Sequence, residues 1–338
     1  MANQEHVHML EQGAEAWNAW REEYPEIVPD LAGATFYNEE LIGANFKQAN
    51  LQRAFFDETD LRAACFIGAN LSEANFSGAR LEGANMCNAD LEKADLSGAD
   101  LDEALFDGVR LVATNFQYAN LRSVSLTNAH LMKTNFRNAN LTGCHVYGVS
   151  FWNIDVEGAI QRDLVITEEH EPTITVDNLE VAQVVSLLLR RRTVRDSFEI
   201  SGKKLVLILG NLSANRNAFL APLRNALFRH NLYSLTLDVG PSGAEDATVT
   251  IETLAHLARF IIADLTNTED LSQALHTLIP RFPSIPVQPI IQANIVEDAL
   301  FESFEQYPSV LPILFYQDIP EVLVAINERF IVPIEKET

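Results

Sequence analysis

The sequence predicts two folds in one chain: a solenoid of stacked β-coils over residues 31–156 and an α/β sheet over residues 196–338. An N-terminal capping helix within 1–30 is expected before the solenoid, and a linker with a linker helix over 157–195 after it. Three observations carry this. A large apolar residue, Leu, Phe, Met or Val, recurs at every fifth position from Leu31 to Val156, 26 sites without a frame slip. From Lys203 onward, short apolar runs alternate with helical patterns. The composition, 47% hydrophobic and 21% charged over 338 residues, holds enough apolar side chain for two cores.

In the N-terminal segment Val7, Leu10, Ala14 and Trp17 fall at helical spacing, and the pattern stops before Pro25. A stack of coils leaves its first coil open. The helix is therefore expected to cover that edge, with Trp17 and Trp20 as packing residues.

The five-residue period decides the backbone of the next segment. In one extended strand an odd step would point the large residues alternately in and out. On an α-helix a step of five advances about 140°, which spreads them around the whole cylinder. A chain that turns once per repeat keeps every one of them inside. Two residues before most sites stands a small side chain, usually Ala (Ala44, Ala84, Ala99), with Asn or Asp between, so the unit is A-(N/D)-(L/F)-x-x. The small and large residues are expected to face inward together, and the Asn or Asp to hydrogen-bond locally at the turns.

This unit resembles the pentapeptide-repeat family. The resemblance implies a right-handed, four-sided β-helix with 20 residues per coil. Phe36, Phe56, Phe76, Phe116 and Phe136 would then stack on one side, with Phe46, Phe66, Met86 and Phe106 opposite and leucines filling the other two sides. On the outside, Val112, Met132 and Trp152 would form an apolar column where earlier coils carry Gln52, Ser72 and Glu92. That column is read as an interaction surface, for a protein partner or for the chain's own following segment.

The linker helix follows at DNLEVAQVVSLLLRRR. Asp177 is the expected N-cap, Val181, Val184, Val185, Leu188 and Leu189 form an apolar face, and Arg190, Arg191 and Arg192 complement the C-terminal dipole. This face is expected to dock on the Val112, Met132 and Trp152 column.

Strands are predicted at 205–210, 232–240, 260–265, 287–292 and 311–316, alternating with helices at 217–231, 250–259, 270–279, 296–304 and 319–330. The pattern specifies a five-stranded, doubly wound parallel sheet of flavodoxin-like type. Such sheets bind ligands beyond the C-terminal strand ends. Converging there are Asn211, Ser213 and Arg216, then Asp238 and Ser242, then Asp264 and Thr266. The loop GNLSANR is neither a G-x-G-x-x-G nor a P-loop, so no standard phosphate cradle is present.

The stretch LVLILGN…TLAHLARFIIADLTNTEDLSQAL looks like the Toll/interleukin-1-receptor-like and nucleoside deoxyribosyltransferase-like group. Its fusion to pentapeptide repeats resembles a recurring bacterial, especially cyanobacterial, arrangement. The resemblance implies NAD or a related nucleotide as ligand, and cleavage of an N-glycosidic bond by a Glu on the helix after the A-D-L strand. Ala274 stands where that Glu is expected, and a methyl group cannot do this chemistry. Glu269 and Asp270 are the nearest substitutes, and each also serves as a helix N-terminal charge.

The formal net charge of −23 disfavours direct binding to nucleic acid or anionic membranes. Three scattered cysteines give neither a disulfide framework nor metal-ligand spacing. No apolar run approaches the ~18 residues of a membrane helix, and the opening MANQEHVHMLEQ has no basic region followed by an apolar stretch, so the cytoplasm is the expected compartment. The leading expectation is a non-enzymatic interaction or scaffold protein with a catalytically degenerate, nucleotide-sensing or recognition α/β domain. The alternatives are an NAD- or nucleoside-cleaving glycohydrolase and a duplex-DNA mimic of the kind that protects DNA gyrase. Mimicry would use the acidic run Asp90, Glu92, Asp95, Asp100, Asp102, Glu103 and Asp107, although residues 31–156 carry only 15 acidic against 9 basic side chains. Whether the rod pairs with a second copy is left open by the sequence.

Overall fold

Each pentapeptide of the solenoid makes one corner. The inward residue at position i opens a tight turn closed on its carbonyl, as when the Ala84 N–H bonds the Leu81 carbonyl at 2.9 Å. Every residue at i+2 from Gly33 to Asp163, 27 in all, lies in the left-handed region with φ between 53° and 75°. The remaining amides join coil to coil: the Leu31 N–H donates to the Asn50 carbonyl (2.8 Å), the Gly33 N–H to Gln52 (2.9 Å) and the Asn50 N–H back to Pro29 (2.8 Å). The N–H at i+1 is met by the Asn or Asp at i−1, as in Ser72 to Asn70 Oδ1 (3.1 Å) and Glu92 to Asp90 Oδ1 (3.0 Å). A repeat built this way leaves no amide unpartnered, which explains the repeating Asn or Asp in terms of structure alone.

These contacts come from a computed structural model that describes residues 2–168, 170–171, 173–190, 205–210, 214–238, 251–252, 254–255, 257–266, 271, 275–276, 278–293 and 307–332. The chain divides into two compact units, Met1–Ile166 and Thr167–Thr338.

Parallel bridges in the first unit join positions 20 apart, from Asp30 with Asn50 to His145 with Val165, so a coil takes four repeats. The stacking extends beyond Val156, where Gln161 interrupts the apolar series but Leu164 and Ile166 are still buried. Inside, Phe56 stacks on Phe36 at 5.1 Å and on Phe76 at 4.9 Å, while Phe46 stacks on Phe66 at 5.0 Å. The two aromatic columns meet edge to face, Phe66 against Phe76 at 5.8 Å, the arrangement ring quadrupoles favour. Met86 and Leu96 fill the columns midway, and the aromatic stack resumes at Phe106 and Phe116. Where Thr replaces Ala at the small position, its buried hydroxyl donates to a carbonyl of the preceding coil: Thr114 to Leu91 at 2.9 Å and Thr134 to Leu111 at 2.6 Å. Cys144 does the same through Sγ to Leu121 (3.0 Å), and burial pushes its thiol pKa up to about 12.

The N-terminal segment forms two helices where one is expected, α1 (Gln4–Leu10) and α2 (Ala14–Glu23). The break falls at Gly13, whose φ of 99° no helix accommodates. The α2 helix supplies hydrogen-bond partners to backbone of the first coil that would otherwise form an open edge. Trp17 Nε1 donates to the Asn45 carbonyl (2.8 Å), Asn18 pairs with Gly43 and with the Asn45 N–H, and Arg21 donates to Ile27 (2.6 Å) and Lys47 (2.9 Å).

In the rod, three-residue strands replace single bridges at β1 (Arg110–Val112), β2 (His130–Met132) and β3 (Ser150–Trp152), paired in parallel. A short strand, β4 (Leu164–Val165), ends the first unit.

The second unit contains β5 (Ile174–Val176), α3 (Leu179–Arg190), β6 (Leu205–Gly210), α4 (Ala214–Arg229), β7 (Tyr233–Asp238), β8 (Ala258–Asp264), β9 (Val287–Gln292), β10 (Leu314–Tyr316) and α5 (Ile319–Ile326). Strands β6 to β10 are the five expected from sequence, and they pair in parallel in the order β7-β6-β8-β9-β10. The sheet is nevertheless mixed, because β5 adds antiparallel to β7 with Val176 opposite Leu235. That corrects the purely parallel, five-stranded expectation. It also places part of the segment read as linker in the sheet.

The cap of α3 is corrected by one residue: Asn178 Oδ1 accepts the Val181 N–H (3.0 Å). Asp177 instead accepts from the Ser234 hydroxyl at 2.6 Å and lies 3.9 Å from Arg224, tying the start of α3 to β7 and α4. All six residues of β6 are buried, the mark of a central strand covered on both faces. On one face Val206, Ile208, Phe260 and Ile262 pack against Leu220, Leu223 and Leu227 of α4 and Val322 and Ile326 of α5. Helix α4 ends at Asn231, left-handed at φ 58°, with the Leu232 N–H on the Leu227 carbonyl. Asp318 caps α5 through the Glu321 N–H while Glu321 reaches back to the Gln317 N–H, a reciprocal box. The described residues between 251 and 257 and between 271 and 278 are helical; the helix expected at 296–304 lies outside the described residues.

Candidate functional site

The rod's outward surface carries scattered exposed apolar residues, Ile42, Phe55 and Leu105 among them, and one aligned apolar column near its C-terminal end. Positions that follow the inward residue point outward, so polar groups should occupy them. Strands β1, β2 and β3 align Val112 beside Met132 and Met132 beside Trp152. Trp152 is 76% exposed and Met132 46%, whereas Val112 is half-buried. The column is thus a step of apolar surface on a rigid sheet, anchored from behind by the buried Leu111 and Leu131.

The polar groups beside it engage one another. Arg110 binds Asp90 at 3.0 Å and Glu92 at 2.6 Å, which holds the Glu92 carboxyl below its usual range. His130 Nδ1 meets the Ser150 hydroxyl at 2.9 Å. Part of the acidic run is committed in the same way: Asp95 and Asp100 accept from Asn115 (2.9 Å) and Asn120 (2.8 Å) one coil on. Asp107 accepts from Ser125, and Cys87 Sγ lies 3.7 Å from its other oxygen.

At the sheet's C-terminal edge the structure brings together part of the predicted constellation. Gly210 at the end of β6 is in register with Asp238 at the end of β7. Asp264 ends β8, buried beside Gly210, where an added Cβ would come within 3.1 Å of the Asp264 Cβ. Asp264 Oδ1 accepts the Thr266 N–H (3.1 Å), and Thr266 Oγ1 accepts the Gln292 N–H at the end of β9 (3.2 Å). These bonds make a local turn that ties the ends of β8 and β9 together. Arg216 lies on α4. Asn211, Ser213, Ser242, Glu269, Asp270 and Ala274 lie outside the described residues. Among the described residues no group of three or more His, Cys, Asp or Glu side chains could hold a metal ion, and no helix is long and apolar enough to cross a membrane.

The left-handed corner at i+2 is the feature that sequence reasoning missed. Glycine or Asn at many of these sites is its signal, but 11 of the 27 are neither Gly, Asn nor Asp. Lys, Glu and Tyr in the others hide it.

A coil of four five-residue sides closed by left-handed corners defines a class of protein, and residues 40–78, 69–108 and 114–153 match the family model described as pentapeptide repeats, in eight copies. The first unit is a pentapeptide-repeat β-helix. Solved structures similar to this chain include HetL, a pentapeptide repeat protein involved in heterocyst differentiation regulation from the cyanobacterium Nostoc sp. strain PCC 7120, at 27% identity over 40% of this chain and 76% of that one, TM-score 0.17. Rfr23 from the cyanobacterium Cyanothece 51142 matches at 26% identity over 42% of this chain and 95% of that one, TM-score 0.21. A pentapeptide repeat protein of the Arabidopsis thaliana thylakoid lumen matches at 33% identity over 34% of this chain and 70% of that one, TM-score 0.17. No curated protein matches the chain.

Proposed function

We propose that this protein is a non-enzymatic scaffold whose rod docks a protein partner on Val112, Met132 and Trp152, while its α/β unit acts as a recognition or nucleotide-sensing domain. The observation that carries the reading is the exposure of Trp152 on a rigid strand ladder whose neighbouring polar groups are already paired. Large exposed aromatics of this kind are the anchors of protein interfaces. The finer assignment of the second unit to a flavodoxin-like, Toll/interleukin-1-receptor-like fold belongs to this proposal. Its support is the parallel strand order β7-β6-β8-β9-β10, the second strand lying outside the first.

Capture of binding partners by the full chain, compared with a Met132→Ser/Trp152→Ser variant, tests the docking role. Loss of a specific partner in the variant supports it, and an unchanged set refutes it. If the chain's own α3 is the occupant, the variant instead changes the rate at which protease cuts within 167–195. Among the described residues no observation favours the glycohydrolase alternative: Asp264 is buried and accepts a main-chain N–H, and Glu269 and Asp270 lie outside them. Incubation of the protein with NAD should therefore release no nicotinamide, while calorimetry with NAD and ADP-ribose separates a nucleotide sensor from a protein-recognition domain.

A further inference from the structure

We propose that α1 is a proton-released latch on the first coil, with His6 as the group that senses the proton. The residue it grips is Asp30. The Asp30 carbonyl accepts the Asn3 N–H at 2.9 Å, and the Asp30 N–H donates to His6 Nδ1 at 3.0 Å. A ring nitrogen accepts a hydrogen bond only while it carries a lone pair, so this bond requires neutral imidazole.

The other ring nitrogen is faced by a donor as well. Asn3 uses its side-chain oxygen to cap the Glu5 N–H (3.0 Å), which leaves its Nδ2 directed at His6 Nε2, 3.3 Å away. The neutral ring can serve one of these donors; imidazolium, with N–H on both nitrogens, serves neither. Protonation therefore converts the Asp30 bond into an N–H to N–H confrontation.

Whatever the charged groups around the ring, imidazolium has no lone pair left to accept the Asp30 N–H. On α1, Glu5 is exposed. In the first coil Asp30 Oδ1 accepts from both the Ala32 N–H (3.3 Å) and Asn50 Nδ2 (2.9 Å). The α2 helix presents the uncharged Trp20 ring at 5.2 Å and turns Arg21 to the carbonyls of Ile27 and Lys47. Release of α1 leaves the Asp30 edge of the coil open, and open strand edges are where other chains pair.

Hydrogen exchange on the full chain at pH 8 and pH 5, corrected for the intrinsic pH dependence of amide exchange, tests the latch. Protection of the α1 amides should fall about tenfold or more at pH 5, the scale of one lost hydrogen bond with an orphaned donor. Protection of α2 should hold. His8→Gln should behave as wild type, and His6→Gln, which keeps an acceptor oxygen but does not titrate, should lose the pH dependence. Equal α1 protection at both pH values, or an undiminished fall in His6→Gln, overturns the proposal. If His6→Gln frees α1 at both pH values, the imidazole ¹⁵N spectrum of wild type at pH 8 decides: unprotonated Nδ1 sustains the latch and protonated Nδ1 refutes it.

Discussion

At the scale of single residues, the rod is governed by two positions with opposite demands. The small inward site has no spare volume: Ala84 is fully buried. Ala84→Leu should lower stability by about 1–3 kcal/mol through overpacking, read from urea unfolding of the full chain. The outward i+2 site has space but a demanding backbone. Ala63 sits there at φ 55°, where a Cβ is disfavoured. Ala63→Gly should therefore raise stability by up to about 1 kcal/mol, and Ala63→Val should lower it, in the same unfolding experiment. The first rule was legible in the sequence because Ala recurs at fixed spacing; the second was not, because backbone conformation is shared by side chains as unlike as Glu103, Lys133 and Tyr118.

At the scale of elements, pairing between coils places charges one coil apart, where they can meet. Asp60 lies between Arg62 (2.7 Å) and Arg80 (3.3 Å), and its carboxyl pKa is lowered, chiefly by the Arg62 hydrogen bond. A folded-state pKa below the unfolded one gives a contribution present above the ordinary carboxylate range and lost as pH falls through the lowered value. Thermal scans from pH 6 to pH 3 should show the rod losing stability on acidification, with the loss shallower in Asp60→Asn. The element boundaries show where sequence patterns run out. Strands β6 and β9 match their expected limits; β6 is a continuous apolar run, and β9 carries its apolar residues between Val287 and Ile291. The three-residue β5 follows the polar stretch EEHEPT and gives no pattern long enough to read. The one-residue shift of the α3 cap arises because Asp177 and Asn178 are both competent caps, and the Ser234 hydroxyl takes the first.

At the scale of the whole molecule, the second unit begins at Thr167, upstream of where the alternating pattern starts. A fragment covering 167–338 retains β5 and α3, and one covering 196–338 leaves β7 as an uncovered edge. The longer fragment should remain monomeric and show the higher melting temperature; equal behaviour of the two would mean that β5 adds nothing to the sheet. Of the candidate sites, the apolar column was readable because a period of 20 aligns distant residues on one side of the coil. The bonds among the strand ends at Asp264, Thr266 and Gln292 were not, since they depend on loop geometry that no spacing encodes.

The four-sided coil also behaves as a dial. Removing 20 residues upstream of Arg110 would shorten the rod by one level and leave Trp152 pointing the same way relative to the N-terminal helices. Removing five would swing it a quarter turn. Removing whole coils thus sets length at a fixed bearing, while removing single repeats would carry the same binding surface to four compass points, with Phe and Leu columns exchanging places at the join whenever an odd number of repeats is removed.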